Sequence, residues 1–260
     1  MDLGIKGRRA IVCASSKGLG RGVAEKLAEA GVNLTLNART ESTLRATADE
    51  IAGMYGVAVQ IVAEDVTTEA GRLALLRAEP NADILINNAG GPPPGVWSDW
   101  GEEEWLQAVN NNMLTPILLM NAILPGMIER KWGRVVNITS GSVKSPIAQL
   151  GLSNAARSGL TGFVAGTARQ VARHGVIINN LLPGSHDTDR TKGFIERTAA
   201  AKKISLEEAR AEAYAGNPTG RYGTAEEFGA AAAFLCSQFS GFIVGQNLLL
   251  DGGAFNSTLG

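Results

Sequence analysis

The sequence predicts an α/β chain: one Rossmann-like, doubly wound parallel sheet of about seven strands with helices on both faces. Three observations carry that prediction. Short apolar runs rich in β-branched residues alternate with longer stretches of helical period along the whole chain. A turn containing Gly18 and Gly20 sits between the first run and the first helical stretch. The third is size: 260 residues, 45% of them hydrophobic, at a mean hydropathy of +0.03, suffice for a substantial core in one domain.

The elements follow in order. RRAIVCA precedes a helix over 19–31, VNLTLNA one over 41–56, VAVQIVA one over 67–79 and DILINNA one over 102–130. GRVVNITS leads into a helix over 150–173, GVIINNLLP into a polar helical stretch, and GQNLLLDGG follows a helix over 224–238. Strands that alternate with helices in this way are parallel, and right-handed crossovers fix most of their order. GGPPPG at 90–95 follows a strand directly, so it reads as a rigid loop over the strand's carboxyl end rather than a linker. Residues 188–218 read as an inserted helical pair, a candidate lid over a cleft.

Composition excludes several classes of partner. The 24 basic and 25 acidic residues are spread along the chain and leave a net charge of −1, with no basic stripe for nucleic acid and no charged tail. The expected partners are a small molecule and another copy of the chain. MDLGIKGRRAIVCASS lacks a signal-peptide apolar run and no later stretch reaches membrane-spanning length, so a soluble cytoplasmic protein is expected. Cys13 and Cys236 lie in core segments and match no metal spacing. No metal site is expected.

The chemistry gathers at the carboxyl ends of the strands. In CASSKGLG, residues Ala14, Ser16, Lys17, Gly18, Leu19 and Gly20 form a turn that lets backbone approach a pyrophosphate at a helix N-terminus. The second strand ends in Asn37, Ala38 and Arg39, with no acidic acceptor for a free ribose 2'-hydroxyl. Arg39 with Lys17 suits a 2'-phosphate, which favours NADP(H) over NAD(H). Asp65 and Val66 follow the third strand, where Asp65 suits an adenine amino group. In NNAG, Asn88, Ala89 and Gly90 leave room for a ribose, while Asn87 ties neighbouring strands together.

These pieces together resemble the short-chain dehydrogenase/reductase family in its single-domain form, close to the bacterial 3-oxoacyl-acyl-carrier-protein reductases. The resemblance runs nearly end to end. CASSKGLG stands at the family's TGxxxGxG, NNAG at 87–90 is intact, and VNNNM at 109–113 places the family's catalytic asparagine on Asn112. NITSGS at 137–142 places its catalytic serine on Ser140. LLPGSHDTDRT at 181–191 resembles the segment that meets the nicotinamide, with Pro183, Gly184 and Thr188 as contacts. GFIVGQNLLLDGG at 241–253 resembles the closing strand.

Two departures stand out. Ala14 replaces the first glycine, adding a methyl where the chain turns tightly. Aligned on the AxSGLTG pattern that follows, the family's Tyr-x-x-x-Lys falls on Ser153 and Arg157. In the family the tyrosine protonates the carbonyl oxygen and the lysine lowers its pKa, whereas a serine is a far weaker acid and ends one bond beyond Cβ. Arg157 keeps the charge and can hold ribose hydroxyls, but it does not readily pass a proton. His186 and Lys144 are then the candidate donors, with Ser140 and Asn112 orienting the carbonyl.

The expected activity is an NADP(H)-dependent oxidation or reduction of a small or medium alcohol or carbonyl, with an atypical proton relay. Two alternatives stay open. One is a non-redox protein that uses nucleotide for sensing or structure, and the other is a lyase or isomerase. Ala155, Ala156, Gly159, Gly162, Ala165 and Gly166 make a small-residue helix surface, and the resemblance implies a homo-oligomer, a tetramer or a dimer.

Overall fold

The computed structural model describes residues 1–258. Among them seven parallel strands form one sheet in the order β3-β2-β1-β4-β5-β6-β7. The first half runs β1 (Arg9–Val12), α1 (Gly18–Glu29), β2 (Asn33–Asn37), α2 (Glu41–Tyr55), β3 (Val59–Val62), α3 (Glu69–Ala78) and β4 (Ile84–Asn87). Then come α4 (Glu102–Val109), α5 (Thr115–Glu129), β5 (Gly133–Ile138), α6 (Gly151–Val171) and β6 (Val176–Pro183). The chain closes with α7 (Asp189–Lys202), α8 (Leu206–Ala215), α9 (Ala225–Cys236) and β7 (Asn247–Leu250).

Alternation along each strand divides the core between the two faces. Ala10, Val12, Ile84, Ile86, Val136 and Leu181 point to the side covered by α1 and α9, where Leu27 and Phe228 pack. Ile11, Leu85, Val135 and Ile178 point to the opposite side, against Leu119, Ile123, Leu160 and Val164 of α5 and α6. Burial on both faces accounts for strands with consecutive apolar residues, such as Ala10–Val12 and Ile84–Ile86.

One polar row crosses this interior. The Asn87 amide donates to Asn137 Oδ1 (2.8 Å), Asn137 to Asn180 Oδ1 (3.2 Å) and Asn180 to Asn247 Oδ1 (2.8 Å). Strand register puts these residues opposite one another from β4 to β7. Asn87 therefore ties strands together, as its sequence context suggests.

The helix expected over 102–130 is broken. Between α4 and α5 the backbone widens into a π-helical turn, Asn110–Leu114. Pro116 explains it: proline has no N–H for the carbonyl four residues back, that of Asn112, and its ring crowds that carbonyl. Residues 188–218 do form a helical pair, α7 and α8, which pack on each other through Ile195, Ala199 and Ala209.

Candidate functional site

Strand order reverses between β1 and β4, and the crevice at that reversal is where an open α/β sheet holds a ligand. The turn after β1 is shaped for close approach. Gly18 has φ +58° and Ala14 φ +48°, so Ala14 carries its extra methyl in a left-handed conformation that glycine adopts more easily. A Cβ on Gly20 would lie 2.2 Å from the Ala14 carbonyl oxygen, and the Asn88 amide donates to that same oxygen at 3.3 Å. Asn88 thus holds the first loop against the NNAG loop. Lys17 stands at the N-terminus of α1 with no side-chain cap on the helix, so its first N–H groups are not taken up by a capping side chain.

Around this turn the polar groups are assigned in detail. Ser15 exchanges hydrogen bonds with the Asn37 backbone, and the Asn37 amide donates to Val62 O and Glu64 O, so Asn37 is a strut between strands. The Ser16 carbonyl accepts from Thr47 Oγ1 at 3.0 Å. Arg39, two residues beyond β2, is exposed. Asp65 takes two hydrogen bonds from Thr67 on one oxygen, Oδ1, at 2.9 and 2.7 Å, and Val66 beside it is buried.

The carboxyl ends of β4, β5 and β6 bring the remaining residues together. Ser140 follows β5 and accepts from Ser142 N at 3.1 Å, which fixes its hydroxyl at the start of a short 3-10 turn. Asn112 lies in the π-helical turn, its amide bonded back to Ala108 O at 3.3 Å. Ser153 and Arg157 are one turn apart on the inner face of α6, 5% and 7% exposed. The Arg157 guanidinium donates to Ile138 O at 2.7 Å and to Ala89 O at 3.3 Å, clasping the ends of β5 and β4.

Beneath this clasp is a cavity of about 20 Å³, room for one water molecule, lined by Arg157 with Cys13, Asn87, Asn112 and Thr115 among others. Asn87 Oδ1, Asn112 Oδ1 and Thr115 Oγ1 are buried there without a hydrogen-bond partner. Pro183 ends β6, and Gly184 N donates to Leu250 O at 2.8 Å. Thr188 caps α7, and its methyl lies within 3.7 Å of where a Cβ on Gly18 would be. The start of the helical pair therefore rests on the glycine turn, where Asp189 reaches Lys17 Nζ at 3.4 Å.

Against known proteins, a family profile described as enoyl-(acyl carrier protein) reductase, of the short-chain dehydrogenase type, matches residues 13–254. The chain belongs to the short-chain dehydrogenase/reductase family. It is 33% identical over 257 residues to the 3-oxoacyl-[acyl-carrier-protein] reductase FabG of Vibrio harveyi, covering 97% of this chain and 99% of that one. Among solved structures it is similar to L-sorbose reductase from Gluconobacter frateurii complexed with NADPH and L-sorbose. That likeness has a TM-score of 0.94 and 27% identity, over 99% of this chain and 100% of the other. A 3-oxoacyl (acyl-carrier-protein) reductase from Agrobacterium tumefaciens with NADP bound matches with a TM-score of 0.87 and 30% identity, over 96% and 95% of the two chains.

In this short-chain dehydrogenase/reductase, His186 is buried beside the Pro-Gly turn rather than open to solvent. It is 4% exposed, with its ring edge-on to Phe228 of α9 at 5.2 Å and packed on Gly223. Nδ1 lies 3.2 Å from Gly184 O, and burial pushes its pKa below the ordinary imidazole value. A Pro-Gly turn fixes the backbone near the cleft but not the direction of the ring. Lys144 is half-buried on the rim, just past the 3-10 turn.

Sequence reasoning missed Thr115 and Asp189. The Thr-Pro step at 115–116 was the available signal for the first, since a proline there interrupts the helix that carries Asn112. Nothing in the sequence singles out Asp189. Cys13, given no role, lines the cavity with its thiol pushed up to about 12 by burial, which keeps it unreactive. Among the described residues no cluster of side chains suits a metal ion, and no helix is long and apolar enough to cross a membrane.

Proposed function

We propose that this chain is an NADP(H)-dependent oxidoreductase acting on a small or medium carbonyl or alcohol, with a proton relay that does without tyrosine. The observation that carries the reading is the crevice itself: a glycine turn too tight for a Cβ at Gly20, braced by Asn88, at the reversal of strand order. The relatives named above, two of them with bound NADPH or NADP, support it.

The residues fit a dinucleotide. Ser16, Gly18, Leu19 and the α1 N-terminus face its pyrophosphate, with Lys17 and Arg39 toward a 2'-phosphate. Asp65 and Val66 border the adenine, Ala89 and Gly90 the ribose, and Pro183, Gly184 and Thr188 the nicotinamide. Bound there, the nicotinamide supplies or accepts a hydride. Ser140 and Asn112 then orient the substrate oxygen or a water, while the Arg157 clasp keeps the strand ends in place. Residues 188–218 form a lid resting on the glycine turn in this reading.

The test is calorimetry with NADPH and NADH, followed by NADPH absorbance against a carbonyl panel. Tighter NADPH binding and its oxidation support the reading; no binding of either sinks it. The fixed Arg157 favours a second reading, a nucleotide-sensing or structural protein, for which tight binding without oxidation is the signature. We also propose a homo-oligomer, since Leu106 of α4, Leu114 of the π-helical turn and Leu118 of α5 lie exposed and nothing crowds Gly162 or Gly166 on α6. Light scattering checks this.

A further inference from the structure

We propose that the substrate brings its own proton donor: an aromatic ketone or quinone with a hydroxyl beside the reacting carbonyl, reduced without a protein acid. The inference rests on the redox reading above and adds the substrate class to it. Two independent sets of residues carry it.

The first is the placement of the groups that the sequence offers as donors. Ser153 stops at Oγ. The amide of Asn112 is turned back to Ala108 O, and Ser140, whose Oγ accepts from Ser142 N, carries an aliphatic hydroxyl as weak an acid as that of Ser153. His186 is buried, its ring edge-on to Phe228 and its Nδ1 against Gly184 O. Lys144 is on the rim, and no hydrogen bond or ion pair of the described residues directs its ammonium at Ser153. What the site does offer is a fixed cation. Arg157 lies one turn below Ser153, held by Ile138 O and Ala89 O, and a cation so placed favours the ionised form of an acidic hydroxyl seated above Ser153.

The second is the rim. Residues 87–98, NNAGGPPPGVWS, and 145–156, SPIAQLGLSNAA, contain no charged side chain. The two loops are joined by Gly95 N donating to Gln149 O at 2.9 Å. They present Val96, Trp97 (85% exposed) and Ile147 to solvent, with Phe194 on α7 also exposed. An aromatic mouth whose charges, Asp99 and Lys144, stand at the ends of these stretches suits an aryl body better than a sugar or an acid.

The step balances. The carbonyl carbon gains a hydride from the reduced nicotinamide dinucleotide, and the C=O π pair moves to oxygen. That oxygen takes the proton of the neighbouring hydroxyl, and the aryloxide left beside Arg157 recovers a proton from water.

The experiment compares 1'-hydroxy-2'-acetonaphthone with its methyl ether. NADPH oxidation with the hydroxy ketone is expected to exceed that with the ether by about a hundredfold in kcat/KM, and to fall as pH rises through the ionisation of the bound hydroxyl. Independently of turnover, absorbance of the hydroxy ketone on the NADP⁺-loaded protein should show ionisation about one pH unit or more below that of the free probe. Arg157→Met should abolish that shift, with a melting curve confirming that the variant is folded, and Trp97→Ala should raise KM for the hydroxy ketone with kcat kept. Equal rates for ketone and ether, which a Lys144 donor would give, or an unshifted absorbance titration, overturns the inference. Neither probe reduced while calorimetry shows bound NADPH overturns it and leaves the nucleotide site standing; no bound NADPH removes the redox reading as well.

Discussion

The guanidinium of Arg157 and the carbonyl of Ile138 are joined at 2.7 Å, so the positive charge of α6 is anchored to the end of β5. A second bond to Ala89 O makes Arg157 a clasp between two strand ends. Arg157→Met leaves one buried and one part-buried carbonyl without their charged donor and should lower stability by about 2–3 kcal/mol. Urea unfolding measures it, as a shift in midpoint at unchanged slope. A loss below about 0.5 kcal/mol would show that the clasp contributes little.

Restoring the family's pair tests what the serine and arginine displace. The double substitution Ser153→Tyr with Arg157→Lys is expected to raise kcat/KM by about a hundredfold on a simple ketone lacking a hydroxyl, and to introduce a pH dependence set by the new phenol. Because Ser153 is buried, the ring needs room, and a melting curve on the double variant separates misfolding from inactivity.

Cofactor choice should follow Lys17 and Arg39. Lys17→Ala and Arg39→Ala are each expected to weaken NADPH binding about tenfold while leaving NADH nearly unchanged, because a 2'-phosphate is the only group that distinguishes the two nucleotides. Calorimetry with both decides it, and parallel losses for the two would place these cations elsewhere.

His186 gives a stability signature with a definite sign. Its pKa in the fold is lowered by burial, so the unfolded chain binds the proton more readily. The stability it contributes is fully present above the unfolded value of about 6.5 and is lost as pH falls toward the folded value. Denaturant midpoints should drop as pH falls below about 6.5 in the native protein and drop less in His186→Asn.

The amide row predicts a large effect far from any ligand. Asn137 is wholly buried, and Asn137→Leu would strand the Asn87 amide and the Asn180 carbonyl together. A loss of about 2–4 kcal/mol is expected from chemical unfolding.

Much of this architecture is legible in the sequence because it is written in periods. Apolar runs such as RAIV and VIINNLLP read as strands since both faces are covered, and a glycine pair between strand and helix marks the crevice. Direction and contact are less legible. The ring of His186 follows from the hole left by Gly223, and the break in the long helix follows from Pro116 acting on Asn112. The row of asparagines needs strand register: Asn87 reads as a tie between strands from its sequence context, but Asn137, Asn180 and Asn247 are unremarkable until β4 to β7 are laid side by side.

That row has a polarity. Each side chain hands its hydrogen toward β7, which leaves the Asn87 oxygen as the negative tip of a chain of like-oriented dipoles, aimed into the hollow that Arg157 lines. Such a chain is self-consistent only when all its members lean the same way. An edit at Asn247, on the outermost strand, therefore has a route to the electrical character of the innermost chamber.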